Sequence, residues 1–128
     1  MSIRLFGLLP YVRVELHHQG IGLSLDQVLI DTGSERSVFS SDKTALIGIT
    51  PEPSDRVSRM AGIGGSEWVC WKRLDRIDLG DVSISDFDVQ IGSMNYGFPI
   101  QGIIGMDFLL RVQAIIDLDR LEINPPQN

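Results

Sequence analysis

Apolar and polar side chains alternate from residue 12 to residue 17: Val12, Val14 and Leu16 interleave with Arg13, Glu15 and His17. A period of two is that of a strand with one face in a core. His18-Gln19-Gly20 supplies a turn, and a return strand runs over residues 21–30, ending in the apolar triplet Val28-Leu29-Ile30. A continuous apolar end describes a strand covered on both faces, so whatever follows it is held in a fixed place. The next residue is Asp31. Beyond a loop at residues 51–55, strands over residues 56–63 and 66–77 flank the tip Gly62-Ile63-Gly64-Gly65, which predicts a long hairpin. Its outgoing strand is expected to point Trp68 and Cys70 one way and Val69 and Trp71 the other. Gly80-Asp81 marks a turn, residues 82–91 another alternating strand, and Asn95-Tyr96-Gly97-Phe98-Pro99 a loop. Met106-Asp107-Phe108-Leu109-Leu110-Arg111 predicts a short helix, with Asp107 and Arg111 at the ends the helix dipole favours. Two closing strands, about residues 113–118 and 120–123, have Asp119 between them and stop before Pro125-Pro126. Together these elements predict an all-β fold with one short helix near the C-terminus.

The 128 residues are one domain's worth, and residues 1–128 are taken as a single unit. Hydrophobic residues at 43% and charged residues at 22% are an ordinary globular balance, which argues against disorder. The formal charge of −6 disfavours nucleic acid and anionic lipid, and the basic residues look scattered along the chain. One cysteine, Cys70, excludes an internal disulfide. It is read as a buried structural thiol in a reducing compartment, so a cytoplasmic location is expected. No apolar run approaches the ~20 residues of a membrane helix, so no membrane insertion is expected. The opening MSIRLFGLLPY, broken by Gly7 and Pro10, does not read as a signal peptide.

The candidate chemistry lies in Val28 to Ser40, VLIDTGSERSVFS. A carboxylate at the end of a buried strand needs its charge satisfied. Gly33 lets backbone N–H groups approach it, and the hydroxyls of Thr32 and Ser34 can add hydrogen bonds. Alone, Asp-Thr-Gly-Ser is equally a turn that caps a strand. Other signals are weaker. Ile115-Ile116-Asp117-Leu118-Asp119 mimics the Asp-x-Asp start of a haloacid-dehalogenase-type phosphotransferase, but only nine residues follow it. Gly62-x-Gly64-Gly65 has no following Lys-Ser/Thr and so is not a phosphate loop. His17-His18 has no third ligand at sensible spacing, so no metal and no cofactor are expected. Trp68 and Trp71 fit a peptide grip or the cover of a core edge equally well.

Four stretches in order resemble the retropepsin-like aspartic proteases, and the resemblance runs from Pro10 to Ile123. Asp31-Thr32-Gly33-Ser34 resembles the active-site motif, and Met60-Ala61-Gly62-Ile63-Gly64-Gly65 resembles the flap tip. Gly102-Ile103-Ile104-Gly105-Met106-Asp107-Phe108-Leu109 resembles the second motif, and residues 116–123 resemble the closing hairpin. The resemblance implies a closed β-barrel or sandwich with a flap hairpin. It also implies an aspartic endopeptidase acting on extended peptide segments. Asp31 would be the catalytic carboxylate, and Thr32 would bond across a dimer axis. Gly33 would donate its N–H to the carboxylate, and Ser34 would bond the outer oxygen of Asp31. Gly62, Ile63, Gly64 and Gly65 would form a bending tip over the substrate. One motif in 128 residues leaves the second carboxylate to a second chain, hence a homodimer. A non-catalytic dimerisation or peptide-binding module on the same fold is the alternative. Two departures stand out. Met106 occupies a place where retroviral enzymes commonly carry Arg, so an Arg36–Asp107 pair is expected as substitute. The chain ends do not resemble the interlacing retroviral tails.

Overall fold

The computed structural model describes residues 1–62 and 65–127. The first strands are β1 (Arg4–Phe6), β2 (Leu9–His18) and β3 (Ile21–Ile30). Next come β4 (Val38–Ser40), one helical turn α1 (Ser41–Thr44) and a 3₁₀ turn (Ala45–Ile47). The long strands β5 (Val57–Gly62), β6 (Gly65–Leu79) and β7 (Val82–Gly92) follow. The chain closes with β8 (Gly102–Ile104), helix α2 (Met106–Arg111), β9 (Ile115–Asp117) and β10 (Glu122–Asn124). Among the described residues no helix is long and apolar enough to cross a membrane.

The main sheet runs β1-β2-β3-β8-β4-β7-β6-β5, and β2 also pairs with β6. That added pairing, with Glu15 opposite Asp78 and Leu16 opposite Ile77, closes the strands from β2 round to β6 into a ring. The all-β expectation holds, with α2 where the sequence places it. The alternation in β2 does what a period of two predicts: Val12, Val14 and Leu16 are fully buried. The β2–β3 turn has Gln19 and Gly20 at φ of 50° and 81°. Two successive positive φ values match the twist of a two-residue hairpin.

Three features differ from the expectation. β4 and β8 are only three residues long and pair across large sequence separations, β8 lying parallel to β3 and antiparallel to β4. Neither has room to show periodicity. The turn α1 arises from local hydroxyl chemistry rather than an apolar stripe. Ser40 Oγ accepts from the Lys43 N–H, and Thr44 Oγ1 donates to the Ser40 carbonyl. On β6, Val69 and Cys70, expected on opposite faces, are both buried while Trp68 is exposed, so burial there does not follow the strand's alternation. Gly92 of β7 approaches Val69 closely.

Candidate active site

Asp31 leaves the end of β3 with its backbone anchored: its N–H donates to the Ile104 carbonyl of β8 at 3.0 Å. The turn then folds back on it. Ser34 N–H donates to the Asp31 carbonyl at 3.1 Å, and Gly33 N–H donates to the Asp31 carboxylate at 2.9 Å. Asp31 is half-buried and Thr32 is exposed. Among the described residues the Thr32 hydroxyl has no hydrogen-bond partner within the chain. The Ser34 hydroxyl does not reach the carboxylate as expected; it donates to the Arg36 carbonyl at 2.8 Å. That bond tightens the loop instead of charging the site.

The loop is riveted to α2 by residues the motif did not single out. Ser37 is fully buried, and its Oγ donates to Asp107 Oδ1 at 2.8 Å while accepting from the Gly105 N–H at 3.0 Å. The Ser37 N–H donates to the other oxygen of Asp107 at 3.1 Å. Met106 and Asp107 N–H groups donate to the carbonyls of Ser34 and Glu35 at 2.8 and 3.1 Å. The expected Arg36–Asp107 pair is therefore replaced by Ser37–Asp107. A buried hydroxyl reaches a helix-start carboxylate at lower desolvation cost than a guanidinium, and it serves the Gly105 N–H as well. A lone Ser ahead of the apolar pair Val38-Phe39 is the sequence signal that marks it.

Beside this loop lies an apolar cluster separate from the barrel core. It consists of buried Val38, Met94 and Ile100, with Leu29, Met60, Tyr96, Phe98 and Ile103 partly buried around it. It draws on β3, β4, β5, β8 and the loop after β7, and β3 and β8 are the strands that anchor Asp31. The hairpin pairs as far as Gly62 opposite Gly65. Ile63 and Gly64, named for the tip, lie outside the described residues.

Elsewhere, Glu15, His17 and Asp78 bring ligand-type atoms within 4.8 Å of one another. Arg76 and Ser83 already donate to Asp78 Oδ1, at 2.9 and 2.6 Å, and His17 Nε2 lies 2.8 Å from Oδ2. This is a satisfied surface network on the far strands. Cys70 is a buried free thiol whose pKa burial pushes up, so it is a poor nucleophile.

Residues 20–108, more than half of the chain, match the family model described as aspartyl protease. The chain belongs to the aspartyl protease family. Peptide-bond hydrolysis through carboxylates is thus the chemistry of its relatives. Among solved structures it is similar to a retropepsin-like aspartic protease from Rickettsia conorii, with a TM-score of 0.66 and 16% identity. The alignment covers 95% of this chain and 86% of that one. At that identity the likeness establishes a retropepsin-like fold. No curated protein sequence matches.

This protease's carboxylates also set its acid tolerance. Asp55 is held below its ordinary 3.8 by the hydrogen bond from Lys72, and Asp88 by that from Arg73. Burial pushes Asp78 up, but Ser83, Arg76 and His17 together outweigh it and leave the group lowered. A carboxyl whose folded pKa is depressed adds stability above its unfolded pKa and loses it as pH falls through the folded value. The melting temperature is therefore expected to hold from neutrality to about pH 4 and to drop below it. Differential scanning calorimetry across that range checks this; a melting temperature that rises from about pH 5 to about pH 3 contradicts it.

Proposed function

We propose that the chain is one half of a homodimeric aspartic endopeptidase whose site is built from two copies of Asp31. The observation that carries this reading is the placement of Asp31. It is a half-buried carboxylate on a rigid turn, its Oδ1 bonded to Gly33 N–H, with exposed Thr32 beside it. The sequence holds no second Asp-Thr-Gly. Two such carboxylates brought together share one proton, as close carboxylates do in aspartic proteases generally. The ionised one takes a proton from a bound water, and the protonated one polarises the scissile carbonyl. Water adds to the amide carbon to give a tetrahedral diol. Proton transfer to the amine then breaks the C–N bond, with no covalent enzyme intermediate.

The surface next to Thr32 supports a two-fold contact. An apolar depression of about 250 Å³ there is lined by Thr32, Met106, Leu109, Leu110, Ala114 and Ile116. Leu110 and Leu118 are 67% and 70% exposed in the single chain. The N-terminal segment is spent within its own chain, since the Ile3 N–H donates to the Leu121 carbonyl and Met1 accepts from Ile123. On this reading the dimer face would lie on α2 and β9 rather than on interlaced tails. A two-fold contact is self-complementary, so each apolar residue near the axis meets its own copy. The apolar cluster around Val38 and Ile103 would floor the positions flanking the scissile bond, and the β5–β6 hairpin would close over them as a flap.

Cleavage of a mixed peptide library tests the reading. Extended peptides with apolar residues at the cut are expected as products, and specific activity is expected to fall on dilution as dimers separate. An absence of any cleavage at high protein concentration would favour the non-catalytic module.

A further inference from the structure

The basic residues look scattered in the sequence, but folding gathers Arg36, Arg56, Arg73 and Arg111 around one open cleft of about 620 Å³. The cleft is walled by β6, β7 and α2 and is bordered by two elements already placed. Arg36 belongs to the Asp31 loop, where its carbonyl accepts the Ser34 hydroxyl. Arg56 directly precedes β5, and its carbonyl accepts the Trp71 N–H at 2.9 Å, at the root of the hairpin.

Three acids, Asp86, Asp88 and Asp107, line the same cleft, so the four arginines leave a formal surplus of one positive charge. Asp88 is held by Arg73 through bonds of 2.9 and 3.3 Å. Asp107 is taken by Ser37 and by the Phe108 N–H. Asp86, the third lining acid, lies near enough to Arg73 to help hold its charge. Among the described residues Arg36, Arg56 and Arg111 form no ion pair. Instead, the guanidinium carbons of Arg36 and Arg56 lie 5.6 and 4.1 Å from the centre of the Trp71 ring. The ring is itself fixed by a 2.8 Å bond from its N–H to Ser58 Oγ. An aromatic face steadies a guanidinium while leaving its planar N–H fork free for a carboxylate. Two cations gathered at one ring also repel, and an anion between them relieves that repulsion.

We propose that this cleft binds an acidic side chain of the peptide substrate, outside the pair of residues at the scissile bond, and makes the enzyme selective for Asp or Glu there. The proposal rests on the peptidase reading and names part of its substrate class. An isolated carboxylate on a peptide suits the site better than a polyanion, because the net charge of −6 repels the latter at long range. The apolar cluster around Val38 and Ile103 takes the inner positions, which leaves the acidic preference to an outer one.

The test uses two pools of Trp-free decapeptides with apolar central residues, one with Glu and one with Gln at the flanking positions. Wild-type enzyme is expected to show kcat/KM about tenfold higher on the Glu pool, chiefly through KM, as a charge-assisted fork would give. Arg56→Gln and Arg36→Gln are each expected to cut that Glu-to-Gln ratio at least about threefold, and the double variant to bring it close to one. Melting temperatures identify any variant that fails to fold. Binding of both pools to the Asp31→Asn protein, followed by tryptophan fluorescence, separates the two readings. Selective binding of the Glu pool without cleavage by wild type strikes the peptidase reading alone. Equal binding of the two pools, or a ratio unchanged in the double variant, overturns the acidic subsite.

Discussion

Asp31→Asn is expected to reduce peptidase activity by about a thousandfold or more while leaving the fold intact. The two halves of that expectation have separate causes. An amide at this position cannot take a proton from water or share one with a second copy of itself, so the general base disappears from both halves of the site. Its Oδ1 can still accept the Gly33 N–H that now reaches the carboxylate at 2.9 Å, so the turn keeps its geometry. The anchors from Asp31 N–H to Ile104 and from Ser34 N–H to the Asp31 carbonyl are backbone bonds and do not change. Removing a half-buried charge should hold the melting temperature or raise it. Purified variant is compared with wild type on the same peptide library and by thermal melting. Wild-type rates in the Asn protein would remove Asp31 from the chemistry.

Gly105→Ala is expected to do the reverse, by destroying the support instead of the reagent. A Cβ there would lie 2.6 Å from the Arg36 carbonyl oxygen, 2.7 Å from its carbon and 2.8 Å from the Ser34 carbonyl oxygen. The backbone angle is not the obstacle, since Gly105 sits at φ of −99°. The obstacle is that every crowded atom belongs to backbone already committed elsewhere. The Ser34 carbonyl accepts Met106 N–H, the Arg36 carbonyl accepts Ser34 Oγ, and Gly105 itself donates to Ser37. Relief requires the Asp31 loop to lift off α2, which breaks several of these bonds at once. A loss of about 3 kcal/mol or more follows, read as a melting temperature lower by roughly 10 °C. Activity should fall with it even at temperatures where the protein stays folded. A variant with unchanged melting temperature and rate would mean that the loop and α2 are not mechanically joined.

The parts legible in the sequence were those written locally. The β2–β3 hairpin announced itself through strict alternation and the Gln19-Gly20 turn, and α2 through its charged ends. The Asp31 loop was legible because a four-residue motif follows an apolar strand end. What escaped was set by long-range contact. β4 and β8 become strands only because each meets a distant partner. Ser37 is one polar residue among many until folding places it against Asp107. Arg36 was assigned to Asp107 on proximity in the motifs, whereas its guanidinium lies against Trp71. The same holds for the arginine cleft, whose lining residues range from Arg36 to Arg111. Composition records their number and says nothing of their meeting.

The most direct measurement is a mixing titration at fixed total protein, with rising proportions of Asp31→Asn chains equilibrated with wild type. If each site takes one Asp31 from each of two chains, only dimers of two wild-type chains cut peptide. Activity should then follow the square of the wild-type fraction, falling to about a quarter at equal amounts rather than about a half. A strictly linear decline would contradict a site shared between two chains.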